Sequence, residues 1–383
     1  MNRIHPYEVA AYYFPQYHAD PRNDAWHGKG WTEWELVKAA RPRFPGHRQP
    51  IVPAWGYFDE SKPEWTTREI DLAADHGITS FLYDWYWYGE QPFLQGALEQ
   101  GFLQATNTKR LKFALMWANH DWLYLFPAPA NSQRVLLASG QISLSMFERM
   151  TDYIIEHYFL HPSYLLINDE PYFSIYELGT LLAGFGSLRA AQHAFEKFRA
   201  KVCAAGFPGV HLNAVVWGFN VLPSEMTLTD PAYVVAQLGF ASTTTYAWVH
   251  HYDLNNAPFP QGNYVHAAQR TYEAWEEYAH RFAVPYHPNV SMGWDPSPRT
   301  LQGEDYQKYG YPWTAVLEGN TPEAFRDALA HAKAFLDHQD ITPKMVTLNA
   351  WNEWTEGSYL LPDIVHGTAY VEAIRSVFGT RST

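Results

Sequence analysis

Glu353 and Glu356 stand three residues apart in Trp351-Asn352-Glu353-Trp354-Thr355-Glu356-Gly357, directly after an apolar run that reads as a strand. In a turn or a first helical turn, side chains at that spacing project to one side. Their carboxyl groups would then lie roughly 5 Å apart, the separation of retaining rather than inverting glycosidases. Crowding of like charges raises one pKa, leaving one group as an acid and the other ionised. The competing reading is that both are solvated at a helix N-terminus, where acids are favoured. Flanking Trp351 and Trp354 argue instead for a walled site.

Further candidates for substrate contact follow other apolar runs. Asp84 and Asn119 end the second and third expected strands, as sugar-hydroxyl contacts or as local loop caps. Gln16, Tyr17 and His18 follow the first, with His18 either a hydroxyl ligand or a satisfied core histidine. Glu33, between Trp31 and Trp34, binds sugar or anchors a long loop, with the anchor preferred. Tyr246 and Trp248, after a run of threonines, form a stacking wall or pack between loops. Asp295 and Arg299 flank two prolines, as ligand contacts or as an ion pair with each other. Trp31, Trp85, Trp117, Trp294, Trp351, Asn352 and Trp354 complete the candidate substrate-binding set.

These residues need a scaffold that brings strand ends together. Short apolar runs alternate with stretches of helical period, the pattern of βα units. Strands are expected at 8–14, 80–84, 112–117, 164–167 with 172–176, 211–217, 234–238, 285–292 and 345–350. Helices are expected at 64–76, 143–158, 190–205, 265–281, 322–338 and 368–378. Thr321-Pro322 has the chemistry of a helix start, and Asn168-Asp169 that of a hairpin turn. The expectation is an α/β fold, a (β/α)8 TIM barrel with long aromatic-rich βα loops, forming a single catalytic domain over 1–383. The patternless segments 19–57, 119–140 and 294–313 would lie on its C-terminal face, where barrel active sites are built.

Composition narrows the function. Of 383 residues 47% are hydrophobic and 17% charged, enough for a large core and unlike a disordered chain. Aromatics reach 17%, and Trp and Tyr offer flat apolar faces with polar edges that suit sugar rings. A formal charge of -13 disfavours nucleic acid and anionic lipid. One cysteine, Cys203, excludes an intrachain disulfide and cysteine-based zinc. No apolar window is long enough to insert into a membrane, and residues 1–11 lack the apolar stretch of a signal peptide. As written the chain is expected in the cytoplasm, or in the periplasm or outside the cell if a leader has been trimmed.

Several segments resemble the glycoside hydrolase family 99-like group, also called WbsX-like, which is related to the endo-α-mannosidases. They are Tyr13-Phe14-Pro15-Gln16-Tyr17-His18, Trp26-His27-Gly28-Lys29-Gly30-Trp31-Thr32-Glu33-Trp34, Pro45-Gly46-His47-Arg48-Gln49-Pro50 and Phe81-Leu82-Tyr83-Asp84-Trp85-Tyr86-Trp87. Met116-Trp117-Ala118-Asn119, Gly293-Trp294-Asp295-Pro296-Ser297-Pro298-Arg299 and the terminal segment with Leu361-Pro362-Asp363 continue the match in order. The resemblance implies a (β/α)8 barrel and retaining hydrolysis of α-mannoside-type linkages, without metal or cofactor. It implies that Glu353 acts as base on the substrate's 2-hydroxyl, giving a 1,2-anhydro sugar. Glu356 would protonate the departing oxygen and then deprotonate the incoming water. In-line attack by O2 requires an axial 2-hydroxyl, so manno-configured sugars, including rhamnosides, would be the substrates.

Rival readings are open at this stage. Asn168-Asp169-Glu170 resembles the acid site of another barrel hydrolase class, but Pro171 and the hairpin pattern oppose it. His157 with His161, or His250 with His251, lacks the carboxylate of a zinc motif, and no glycine-rich phosphate loop follows a strand. A glycosyltransferase or glycan-assembly role is the main alternative, since WbsX-like proteins are associated by name with surface-polysaccharide synthesis. A catalytically silent carbohydrate-binding barrel is the third.

Overall fold

The computed structural model describes residues 6–131 and 134–379. A ring of parallel strands forms the centre. Counting its staves, β1 is Glu8–Tyr13, β2 Ser80–Tyr88, β3 Lys112–Trp117, β4 Glu170–Ile175, β5 His211–Val215, β6 Ser242–Thr244 and β8 Met345–Asn349. The seventh stave, β7, is in two pieces, Tyr286–His287 and Asn289–Ser291. Pro288 between them has no N–H to give to a ladder, which accounts for the break. The first piece pairs with β6, Thr243 beside Tyr286, and the second with β8, Val290 beside Leu348, so the ring closes across the proline.

Helices cover the ring: α1 Pro63–Asp75, α2 Leu144–Ile154, α3 Leu188–Ala204, α4 Pro231–Leu238, α5 Tyr264–Arg281, α6 Pro322–His338 and α7 Ala369–Phe378. After β2 the covering piece is irregular, a π turn at Ala97–Gly101 followed by a 3-10 turn at Phe102–Gln104. α6 shows how sequence sets these boundaries. Thr321 accepts from Ala324 N, Pro322 takes the first turn, and Phe325, Ala328, Leu329, Ala332, Phe335 and Leu336 form its buried stripe. The 164–176 hairpin is present, with Leu166–Ile167 antiparallel to β4 and both Asn168 and Asp169 at positive φ.

One expected strand is a helix. Residues 234–238 belong to α4, because Asp230 caps it through Tyr233 N, Pro231 opens it, and Gly239 ends it in a left-handed conformation. The sixth stave is the shorter Ser242–Thr244. Its hydroxyls suit a buried position only because neighbouring staves satisfy them. Ser242 Oγ meets His211 Nε2 at 2.8 Å and Asn213 Nδ2 at 2.9 Å, and Thr244 Oγ1 donates to His287 O at 2.8 Å.

Candidate active site

The C-terminal ends of the staves open into a cleft, and every stave or the loop after it lines that cleft. Phe14 follows β1, Asp84 and Tyr86 lie on β2, and Ala118, His120, Trp122 and Phe126 follow β3. Tyr176 follows β4, Val221 to Ser224 follow β5, and Tyr246 follows β6. Trp294, Arg299 and Tyr311 come from the loop after β7, and Glu353 and Glu356 from the turn after β8. Aromatic and aliphatic walls around a few polar groups are the usual make-up of a small-molecule site.

The turn carrying the two glutamates is built tightly. Asn352–Glu353 pairs antiparallel with Ser358–Tyr359, and Trp354–Glu356 makes a single 3-10 turn closed by Gly357 at φ 63°. A Cβ on Gly357 would lie 2.7 Å from Asp295 Cβ, so glycine is needed for space as well as for its backbone. Asn352 locks the hairpin to β1 by accepting from Phe14 N at 2.8 Å and donating to Phe14 O at 2.9 Å. Tyr17 Oη accepts from Trp354 N at 3.0 Å. The turn is thus fixed from below by Asn352 and Tyr17, which do not line the cleft, and by the Phe14 backbone.

Arg299 organises the charges. Its Nη1 donates to Glu356 Oε1 and Tyr311 Oη in short contacts. Its Nη2 reaches Glu33 Oε2 at 3.3 Å and Glu353 Oε1 at 3.4 Å. Phe14 and Phe126 lie within cation–π distance, at 5.2 and 5.3 Å from Cζ. Burial works against the guanidinium, but Glu33, Tyr311 and the two cleft glutamates more than offset it and hold its pKa well above the usual value. Glu356 Oε1 also accepts from Tyr311 Oη at 2.6 Å. Glu353 Oε2 meets Tyr246 Oη at 2.9 Å, and the same hydroxyl lies 2.8 Å from Asp84 Oδ2.

Glu33, Asp84, Glu353 and Glu356 are all buried, against the one guanidinium. One cation does not offset the charge that four buried carboxylates would carry. Burial raises the pKa of Glu33 against the pull of Arg299, and raises that of Asp84 well above the usual range with help from the Glu356 charge. Glu353 is also pushed well up, by burial first and then by the charge of Glu356, against Arg299. Among the described residues no cluster of three His, Cys, Asp or Glu side chains is arranged to hold a metal ion.

A model of the family described as glycosyltransferase WbsX matches residues 9–374. The chain belongs to the WbsX family. WxcX of Xanthomonas campestris is 29% identical over 97% of this chain and 49% of its own length. The WbsX-family chain therefore spans about half the length of the curated relatives it matches. Among solved structures, a family GH99 endo-α-mannosidase from Bacteroides thetaiotaomicron superposes with a TM-score of 0.58 at 11% identity, covering 96% of this chain and 95% of that one. A glycoside hydrolase-like protein superposes with a TM-score of 0.61 at 14% identity, covering 98% and 94%. At such identities the likeness shows a shared (β/α)8 barrel fold.

Of the residues expected to contact substrate, Asp84, Tyr246, Trp294 and Arg299 line the cleft of this WbsX-family barrel with the two glutamates. Strand parity turns Trp85 and Trp117 away. Trp85 Nε1 donates to Tyr158 Oη at 3.3 Å, and Trp117 packs on Phe147 of α2. Trp351 donates to Glu69 of α1, Trp354 stacks on Tyr359, and Trp31 stacks on His27 behind Phe126. Gln16 accepts from Asn23, His18 pairs with Glu60, and Asn119 clamps the Glu177 backbone as a loop cap. Glu33 anchors its loop on Arg299 and Thr355, as preferred from the sequence.

Asp295 and Arg299 do not pair with each other. Asp295 is taken by His47 at 2.8 Å and Gln49 at 2.6 Å, and faces a second cleft. Sequence reasoning missed Tyr311, which bonds both Arg299 and Glu356, along with Tyr86, Trp122, Phe126 and Tyr176 on the walls. Tyr311 lies within the patternless 294–313 segment, so its region was visible although its partner was not. The long 19–57 loop, expected at the groove, buttresses the glutamate turn instead.

Proposed function

We propose that this chain is a retaining glycoside hydrolase acting on α-mannoside-type or α-rhamnoside-type linkages of an oligosaccharide or polysaccharide. One observation carries the reading. Two buried glutamates, held three residues apart and tied to one guanidinium, sit where all eight staves converge on an aromatic-walled cleft. In the proposed reaction Glu353 takes the 2-hydroxyl proton as O2 attacks C1. The glycosidic C1–O bond breaks, and its oxygen takes the proton of Glu356, leaving a 1,2-anhydro sugar. Water then adds at C1, giving its proton to Glu356, while O2 recovers a proton from Glu353 as the epoxide opens.

Tyr246 and Arg299 each direct a donor at one of the two carboxyl oxygens of Glu353, which is compatible with its role as base. Such charge-assisted bonds favour the ionised form, against the burial that opposes it. Arg299 and Tyr311 both donate to a single oxygen of Glu356 and leave its other oxygen to carry the transferred proton. The family description favours a second reading, transfer of the sugar to an acceptor from an activated donor. Incubation with α-mannan and rhamnan oligosaccharides, with and without a nucleotide sugar, separates the two. Sugar release by the wild type without the nucleotide sugar, lost in Glu353→Gln and Glu356→Gln, is the expected result. Product formation only with the nucleotide sugar would replace hydrolysis by transfer. A substrate with a good leaving group should partly restore Glu356→Gln, since that step then needs no proton, and should not restore Glu353→Gln.

A further inference from the structure

Tyr246 poses a proton-counting problem. Its hydroxyl carries one hydrogen, yet it lies 2.8 Å from Asp84 Oδ2 and 2.9 Å from Glu353 Oε2. Both contacts are short enough to be full hydrogen bonds. If both carboxyls were ionised, one oxygen would face the phenol with no hydrogen between them, and two buried negative charges would share one donor. A proton on one carboxyl removes both difficulties, because that acid donates to the phenol oxygen and the phenol donates onward. The question is which carboxyl holds it.

The surroundings decide against Glu353. Glu353 has Arg299 Nη2 at 3.4 Å from its other oxygen. Asp84 has no cation bonded to it among the described residues, and its Oδ1 is buried without a hydrogen-bond partner. The groups facing Asp84 are the phenols Tyr246, Tyr12 and Tyr86, the carboxyls Glu353 and Glu356, and the more distant charge of Arg299. An ion with one donor and several acidic neighbours is the costly state, and an acid is the cheap one.

We propose that Asp84 is a positioning residue that holds a proton in the resting protein and donates it to Tyr246 Oη, so that Tyr246 gives its only hydrogen to Glu353 and keeps that carboxyl ionised. Asp84 then touches no reacting atom. It works by orienting one phenol hydrogen and by removing one negative charge from beside the base. The proposal rests on the reading of Glu353 as the base, but the location of the proton can be measured without turnover.

The first measurement is infrared difference spectroscopy at neutral pH on the purified protein and two variants. Wild type minus Asp84→Asn should show a carboxylic-acid C=O band, shifted in heavy water. A difference spectrum without that band, or the band in wild type minus Glu353→Gln instead, overturns the proposal. This arm stands even if no glycoside is turned over, an outcome that would count against the functional reading alone.

The second measurement is the acidic limb of kcat/KM on a hydrolysed glycoside. Asparagine can donate to Tyr246 as the acid does, so Asp84→Asn should leave the limb in place. Tyr246→Phe removes a donor from ionised Glu353 and should move the limb up by about one pH unit. Were Asp84 ionised in the wild type, Asp84→Asn would delete a negative charge beside Glu353 and move the limb to lower pH. That shift would sink the proposal.

Discussion

Glu69 offers a quantitative test of how buried acids hold the glutamate turn. It lies on α1, fully buried, with Oε1 accepting from Trp351 Nε1 at 3.1 Å and Oε2 from Tyr13 Oη at 3.1 Å. No cation is paired with it among the described residues. Burial, followed by the charge of Glu60, pushes its pKa from 4.5 up to about 8. The folded protein therefore keeps a proton that the unfolded chain releases near the ordinary value. The sign follows: this stabilisation is fully present below about pH 4.5 and is lost as the pH rises through about 8. Within that window the slope is at most about 1.4 kcal/mol per pH unit, so about 2.7 kcal/mol disappears between roughly pH 5.5 and 7.5.

Glu69→Gln removes that titration while keeping an acceptor for Trp351. At about 2.1 cal/mol/K per residue, 383 residues give an unfolding entropy of roughly 0.8 kcal/mol/K. The 2.7 kcal/mol thus corresponds to about 3 °C. Scanning calorimetry of both proteins over that pH range should show the wild type losing up to about 3 °C relative to the variant. Parallel pH dependences would mean that Glu69 is already ionised in the folded protein, and the argument from burial would fail.

Other perturbations probe the turn and its charge hub. Gly357→Ala should cost about 1–3 kcal/mol, from its positive φ and the 2.7 Å approach to Asp295 Cβ, read as a lower thermal midpoint. Tyr311→Phe removes a 2.6 Å bond to Glu356 and should lower kcat more than it raises KM, with the midpoint nearly unchanged. Arg299→Lys keeps the charge but not the fork that reaches Glu33, Glu353 and Glu356 together, so activity should fall at least tenfold without rescue by added salt. Full activity in that variant would show that one point charge suffices.

What the sequence determined by itself is the repeat and its key acids. Local chemistry sets them: the cap at Thr321-Pro322, the Asn168-Asp169 turn, the apolar runs of the staves and the Glu353–Glu356 spacing act within a few residues of chain. Residues 234–238 read as a strand because a short apolar run has no distinguishing period, although Asp230, Pro231 and Gly239 carried the helix signals. Parity could have turned Trp85 outward from sequence alone, once Asp84 was taken as inward, whereas Trp117 shares the parity of Asn119 and only the structure turned it away.

Only the tertiary structure decided what each charged group does. Arg299 meets Glu33, Glu353 and Glu356 rather than Asp295, and Tyr246 bridges Asp84 to Glu353, because ring closure brings together the loops after different staves. Those partners are far apart along the chain, and which donor reaches which carboxylate depends on strand register and loop path. Charge repulsion and desolvation act across those few ångströms, so the proton distribution among the acids is a property of the folded barrel.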